Sequence, residues 1–181
     1  NRLKWQIEEM TDGTMQLEVN EFGLSGLLGV ELQESTLYQK NKEGESAPLL
    51  ILESVVLSVN PFKALIGKCA GAMYAKVLNG IMDIAVESSD LTFTEFDIDL
   101  VFTDLSLELL PIVTKDFSVN LGGKLQTAAN LNINVRDLVK KTTGEIDVSV
   151  DKFSMQDVTV QGITAPNLEF SEASLLLKIK N

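Results

Sequence analysis

The side chains that most often carry catalysis are missing or isolated in this chain. Histidine, the usual general base and the commonest metal ligand near neutral pH, does not occur among the 181 residues. Cys69 is the single cysteine, which excludes an internal disulfide and a cluster of thiolate ligands. With no histidine to activate it, the Cys69 thiol is expected to be buried and inert. These residue types indicate a protein that is not an enzyme.

Two patterns could in principle bind an ion. The stretch from Gly23 to Gly29 has the glycines of a phosphate-binding loop, but it lacks the Lys-Ser/Thr ending and continues as a strand rather than a helix. Glu95, Asp97 and Asp99 share one face of a predicted strand and could bind a hard cation, yet no glycine-punctuated loop brings further oxygens to them. We expect the glycines to mark a bend of the chain and the carboxylates to form a solvated face. No metal and no cofactor is predicted.

The elements that position these residues are strands with one apolar and one polar face. The clearest case is Phe96 to Phe102, where large apolar side chains alternate with Glu95, Asp97 and Asp99. Such alternation is typical of an antiparallel sheet with one covered face. The apolar positions of the four strongest segments are Val55, Leu57, Val59; Phe96, Ile98, Leu100, Phe102; Leu131, Ile133, Val135; and Ile146, Val148, Val150.

The predicted fold is mainly β: an antiparallel, curved or twisted, elongated sheet, groove-like or sandwich-like, with two or three short helices. Asn79-Gly80 is the strongest hairpin signal, and Gly122-Gly123 is a further predicted turn. The helical candidates are residues 2–11, 60–65, where Asn60 would cap a helix with Pro61 at its first position, and 105–110. No composition break divides the chain, so residues 1–181 are expected to form a single domain.

The apolar face of these strands has two interpretations. In a sandwich it would pack against a second sheet, whereas in a long curved sheet it would line an open groove for acyl chains or a partner's strand. The thirteen apolar positions given above are the candidate residues of such a groove. Sequence pattern alone favours the closed core of a sandwich over the open groove.

Charge and hydropathy narrow the possible partners. The formal net charge is −11, so the phosphate backbone of a nucleic acid would be repelled. No apolar run approaches the length of about 20 residues that a membrane span needs. The chain starts with Asn1-Arg2-Leu3-Lys4-Trp5 rather than methionine, which suits a juxtamembrane edge and a chain with a preceding segment.

Several stretches resemble a known group of bacterial envelope proteins. The runs 29–38, 48–59 and 61–67 resemble the opening of AsmA-like proteins. The runs 109–112, 123–125, 131–133 and 144–148, with 165–168 and the closing 175–179, are similar to the type II secretion protein N (GspN) family. The quoted motifs are glycines and alternating aliphatic residues, and they are spread over most of the chain from Leu17 onward.

This resemblance implies a periplasmic domain, anchored to the inner membrane of a double-membraned bacterium by a segment upstream of Asn1. It implies a non-enzymatic role in a secretion or envelope-assembly system, with other envelope proteins as partners. The alternative is a protein that binds or transfers lipid acyl chains in its apolar groove. The chain ends at Lys180-Asn181 in mid-alternation, so we expect it to be a fragment with further strands beyond it.

Overall fold

The computed structural model describes residues 9, 11, 14–26, 28–40, 46–88, 92–110, 113–114, 117–137, 141–160, 163–164 and 166–180. Most of them lie in strands, which confirms the predicted mainly β fold. The strands are β1 (Met15–Ser25), β2 (Gly29–Lys40), β3 (Ser46–Val59), β4 (Cys69–Val77), β5 (Gly80–Ser88), β6 (Glu95–Ser106), β7 (Val113–Thr114), β8 (Phe117–Asn134), β9 (Thr143–Val160), β10 (Ile163–Thr164), β11 (Leu168–Glu169) and β12 (Glu172–Ile179).

All the strands belong to one open antiparallel sheet. Its path is β1-β2-β3-β4-β5-β6-β8-β9, with β7 beside β8 and with β10, β11 and β12 along the other edge of β9. Because successive strands alternate in direction, the connections β1–β2, β3–β4, β5–β6 and β8–β9 all lie at one end of the sheet. We call this the rim end, and we call the opposite end, where the β4–β5 turn lies, the base end.

The sheet is a single layer over most of its area. No second sheet packs on the first within the described residues. The sandwich interpretation is therefore not realised in this part of the chain, and one face of the sheet is left uncovered.

Burial nevertheless differs between the two faces. Along β6 the odd-numbered Asp97 and Asp99 are exposed, while the even-numbered Ile98 and Leu100 are half-buried. In a flat single layer, both faces would be equally accessible. The alternation therefore indicates that the sheet curls toward its apolar side, so that side chains on that side converge and shield one another.

Four of the buried apolar residues form a small core across the first four strands. Leu17, Leu32, Val55 and Ala75 contact one another, and Ala75 is completely shielded from solvent. Larger half-buried neighbours such as Met73 and Met82 pack around them. This core holds one half of the sheet in place without a second layer.

Kinks inside the long strands produce the bend. Glu34 in β2, Asp104 in β6 and Lys152 in β9 have positive φ angles of 49°, 56° and 53°. Register shifts accompany the kinks in β6 and β9, as is typical of β-bulges, which bend a strand and increase its twist. Gly123, with φ 121°, lies in the same irregular stretch of β8. The predicted turn at Gly122-Gly123 is therefore wrong: the two glycines form a bulge inside an 18-residue strand.

The hairpin predicted at Asn79-Gly80 is present, but its turn is displaced by one residue. Leu78 and Asn79 occupy the two central positions, with φ 52° and 57°, and Gly80 already pairs with Val77 as the first residue of β5. Glycine is required at position 80 by steric contact rather than by the turn. A β-carbon at this position would lie 2.5 Å from the carbonyl oxygen of Thr103 on the neighbouring strand.

Helical structure is sparse in the described residues. The predicted helix after Asn60 is confirmed as α1 (Pro61–Ala64), with the Asn60 side chain accepting a hydrogen bond from the Phe62 N–H. The candidate at 105–110 is reduced to a 3-10 turn at Leu107–Leu109, and the candidate at 2–11 lies largely outside the described residues. None of the described helices is long and apolar enough to cross a bilayer.

Candidate functional site: the apolar face of the sheet

The strand registers align apolar residues from seven strands into three neighbouring rows. We call these rows together the apolar face. The first is Leu57, Met73, Ile84, Leu100, Ala129, Ile146 and Leu177; the second is Val55, Ala75, Met82, Phe102, Thr127, Val148 and Leu175; the third is Val59, Gly71, Val86, Ile98, Leu131, Gly144 and Ile179. No position in the three rows is charged, and Thr127 supplies the only hydroxyl.

The candidate residues predicted from sequence fall on or beside this face. Val55 is buried in the core, whereas Leu57 and the predicted positions of β6 and β9 are half-buried. Phe96 pairs with Ile133 next to the third row, and Val150 lies just beyond the second. Val59 is exposed at the rim end. The structure therefore brings these residues together on one continuous surface.

Val135 is the exception among the predicted positions. It lies beyond the last residue of β8, in the turn that follows, and its side chain is exposed. Its N–H donates to the carbonyl oxygen of Thr94 at 2.9 Å, so the backbone is still tied to the neighbouring connection. The prediction that Val135 continues the strand was wrong. The alternation of apolar and polar residues runs through Val135, but the strand β8 ends one residue earlier, at Asn134.

Sequence reasoning missed the contribution of β4 and β5. Met73 and Ala75 lie in a strand rich in glycine and alanine, which carries almost no polar alternation. Ile84 and Val86 do alternate with Asp83 and Glu87, so their pattern was a usable signal. These two strands form the middle of the apolar face.

The opposite face is polar and is organised by paired side chains. Asn132 donates to Asp97 across β6 and β8 at 2.8 Å, and Asn134 donates to Glu95 at 3.1 Å. Asn130 pairs with Asp99 in the same way. The carboxylates that could have bound a cation are thus each joined to an asparagine amide. No group of three potential metal ligands occurs in the described part of the chain.

A second polar cluster fixes α1 against the sheet. The ammonium groups of Lys63 and Lys68 each lie 2.7 Å from a different oxygen of the Glu87 carboxylate. Two hydrogen bonds lower the pKa of Glu87 from 4.5 to about 2, and the one from Lys63 has a larger effect than the one from Lys68. In turn, the Glu87 carboxylate raises the pKa of Lys68. The Asp97 carboxylate, directly opposite Glu87 on β6, also raises the pKa of Lys68, and the cluster as a whole joins α1 to the sheet.

A cavity of about 340 Å³ lies near the base end, outside the three rows. Aliphatic residues of β3, the β4–β5 turn and Leu109 line most of it, and Glu53 is the one charged side chain that the described residues place on its wall. It contains no pairing of a nucleophile with a base. The apolar face, which extends across seven strands, is therefore the candidate ligand-binding surface.

Comparisons with family models, with curated proteins and with solved structures find no match to this chain.

Proposed function

We propose that the protein is a non-enzymatic binder of lipid acyl chains, which lie along the apolar face. The observation that carries the proposal is a surface of three uncharged rows in which most of the large side chains are only half-buried, with no second layer over them in the described residues. Soluble monomers rarely expose a contiguous apolar patch larger than a few hundred Å² unless it binds something.

The energetics favour an extended apolar ligand. Each Å² of apolar surface removed from water stabilises a complex by about 25 cal/mol. Half-buried residues such as Ile98, Leu100 and Phe102 still have area to lose. A flexible hydrocarbon chain can follow the rows without any hydrogen-bonding partner, and Thr127 is the only polar side chain that it would meet there.

We further propose that this binding serves a secretion or envelope-assembly system. The resemblance to AsmA-like and GspN proteins supports a periplasmic location, an inner-membrane anchor upstream of Asn1 and partners among other envelope proteins. A groove for acyl chains suits that setting, because lipids of the envelope must be shielded from water when they leave a bilayer. Fractionation of the full-length protein to the cytoplasm, together with a gene neighbourhood lacking envelope functions, would contradict this setting.

Acyl-chain binding is tested with two neighbouring substitutions that point to opposite faces. Leu100→Asp places a carboxylate in the first row, whereas Val101→Asp places one on the polar face, where Val101 is already exposed. We expect Leu100→Asp to fold but to lose uptake of a fluorescent fatty acid, while Val101→Asp retains it. Native mass spectrometry of the wild type should show co-purified lipid.

Two results would reject the proposal. One is wild-type protein that neither carries lipid nor takes up the fatty acid. The other is a fall in melting temperature of more than about 10 °C for Leu100→Asp alone, because several kcal/mol lost at that position would indicate a closed, packed core.

A further inference from the structure

The rim end presents large apolar side chains to water in two adjacent connections. Leu24 and Leu28 belong to the β1–β2 hairpin, and Val59, Phe62, Leu65 and Ile66 belong to the β3–β4 connection. We call these six residues the apolar rim. Phe62 is 76% exposed and Leu65 is 82% exposed, and the least exposed of the six is still 53% accessible. The two connections are joined by a hydrogen bond from the Val59 N–H to the Leu28 carbonyl oxygen.

Polar interactions hold this exposed arrangement in place. Asn60 caps α1, and none of the four helical residues is buried. After the helix, Gly67 with φ 74° reverses the chain, and the Lys68 N–H returns to the Lys63 carbonyl oxygen at 3.0 Å. The ion pairs of Lys63 and Lys68 with Glu87 then fasten the connection to β5. The fold therefore fixes Phe62 and Leu65 in a defined position outside its own core.

The two connections of the rim are basic, whereas the whole chain is acidic. Residues 24–29 and 59–69 contain Lys63 and Lys68 and no acidic residue, in a protein whose net charge is −11, and the two ammonium groups share the single carboxylate of Glu87. Lysines beside exposed aromatic and aliphatic side chains suit the boundary of a bilayer, where their alkyl stems lie in the apolar zone and their ammonium groups reach the headgroups. Repulsion by the acidic remainder of the molecule is reduced if the rim alone makes contact.

We propose that the apolar rim inserts into the surface of a lipid bilayer that contains anionic headgroups. Phe62, Leu65 and Ile66 enter the boundary between headgroups and acyl chains, with Leu24 and Leu28 beside them. Lys63 and Lys68 lie at the level of the phosphates. This inference goes beyond acyl-chain binding by the sheet and does not depend on it.

The test is flotation of the purified chain with vesicles of phosphatidylcholine and phosphatidylglycerol. The double variant Phe62→Ser/Leu65→Ser should lower the partition coefficient at least about tenfold, the loss expected for two buried apolar side chains. The matched control is Val101→Ser/Leu176→Ser, which removes two apolar side chains of about half exposure from the polar face. This control should bind vesicles like the wild type, and circular dichroism should show that both variants are folded.

Three outcomes would overturn the proposal: wild-type protein that does not float, a rim variant that floats like the wild type, or light scattering that shows the rim to be a protein dimer contact abolished in the variant.

Fatty-acid uptake from solution, measured on the same samples, separates the two proposals. The rim variant should keep that uptake while it loses vesicle binding. Loss of uptake in Leu100→Asp with intact flotation would show that the rim acts alone.

Discussion

Asn132 lies directly opposite Asp97 across β6 and β8, and its amide donates to the Asp97 carboxylate at 2.8 Å. The pairs above and below repeat this arrangement, with Asn134 on Glu95 and Asn130 on Asp99. Three carboxylates at a spacing of two residues repel one another along β6. The asparagine ladder on β8 gives each a neutral donor rather than another charge.

The ladder predicts a charge-dependent pattern of stability. Asn132→Asp should destabilise the protein by about 0.5–1 kcal/mol, because like charges directly opposite on neighbouring strands repel. The exchanged double variant Asp97→Asn/Asn132→Asp should recover most of this loss in urea unfolding. Addition of millimolar calcium to the wild type should leave its melting temperature unchanged. A rise of several degrees would show that the carboxylates bind a cation after all.

Glu87 predicts acid sensitivity at the β3–β4 connection. Its pKa is lowered to about 2 in the folded protein, below the ordinary value of 4.5. Its ion pairs therefore contribute stability above about pH 4.5, and this contribution is lost as the pH falls toward 2. Glu87→Gln should destabilise the connection at pH 6 and matter progressively less below pH 4.

Amide exchange of Ile66 and Lys68 measures this effect locally, because both N–H groups donate to the Lys63 carbonyl oxygen. The control is Glu145→Gln, which removes an exposed pair with Lys178 at 3.2 Å far from α1 along the sheet. In the Glu145→Gln variant, the amide exchange rates of Ile66 and Lys68 should match those of the wild type. Equal exchange in Glu87→Gln and the wild type at pH 6 would contradict the role assigned to the cluster.

We expect that position 80, at the base end, has no room for a β-carbon. In Gly80→Ala the new β-carbon would meet the Thr103 carbonyl oxygen at 2.5 Å and the Leu105 nitrogen at 2.7 Å. Backbone atoms cannot move aside cheaply, so we expect a loss of about 1–3 kcal/mol in chemical unfolding. Gly23→Ala is the matched control, because nothing lies within 4 Å of its β-carbon position. If both variants unfold at the same denaturant concentration, the close approach of β5 and β6 is wrong.

We expect that replacing Ser35 by alanine inside the core leaves the stability of the protein unchanged or increases it. Its side chain is fully shielded between Val19 and Leu52, and its hydroxyl has no hydrogen-bond partner among the described residues. Ser35→Ala removes that unpaired group and should change the free energy of unfolding by no more than about 0.5 kcal/mol, or increase it. Leu32→Ala, in the same strand and core, should cost about 2–4 kcal/mol. A clear loss of stability in Ser35→Ala would indicate that the hydroxyl has a partner, such as bound water.

The alternation of side chains predicted the strands of the apolar face where it was strong, as in Phe96 to Phe102 and Ile146 to Val150. It could not predict a single layer, since a sandwich and a curled sheet both call for one apolar face per strand. It failed in β4, where Gly71, Ala72 and Ala75 give little contrast between faces. The kinks at Glu34, Asp104 and Lys152 also escaped prediction, because residues other than glycine seldom adopt positive φ.

The order of the strands has a consequence for how the molecule unfolds. Within the described residues, each strand from β1 to β5 pairs only with its neighbours in sequence, β6 pairs with β5 and β8, and β12 pairs with β9 alone. Stability in such a chain is close to a sum over adjacent pairs, as in repeat proteins, so the edges can open without breaking the centre. Hydrogen exchange should be fastest in β1 and β12 and slowest in β5, β6 and β8. The sheet is in this sense a series of coupled local units, in which strands can be lost from an edge while the remaining pairings persist.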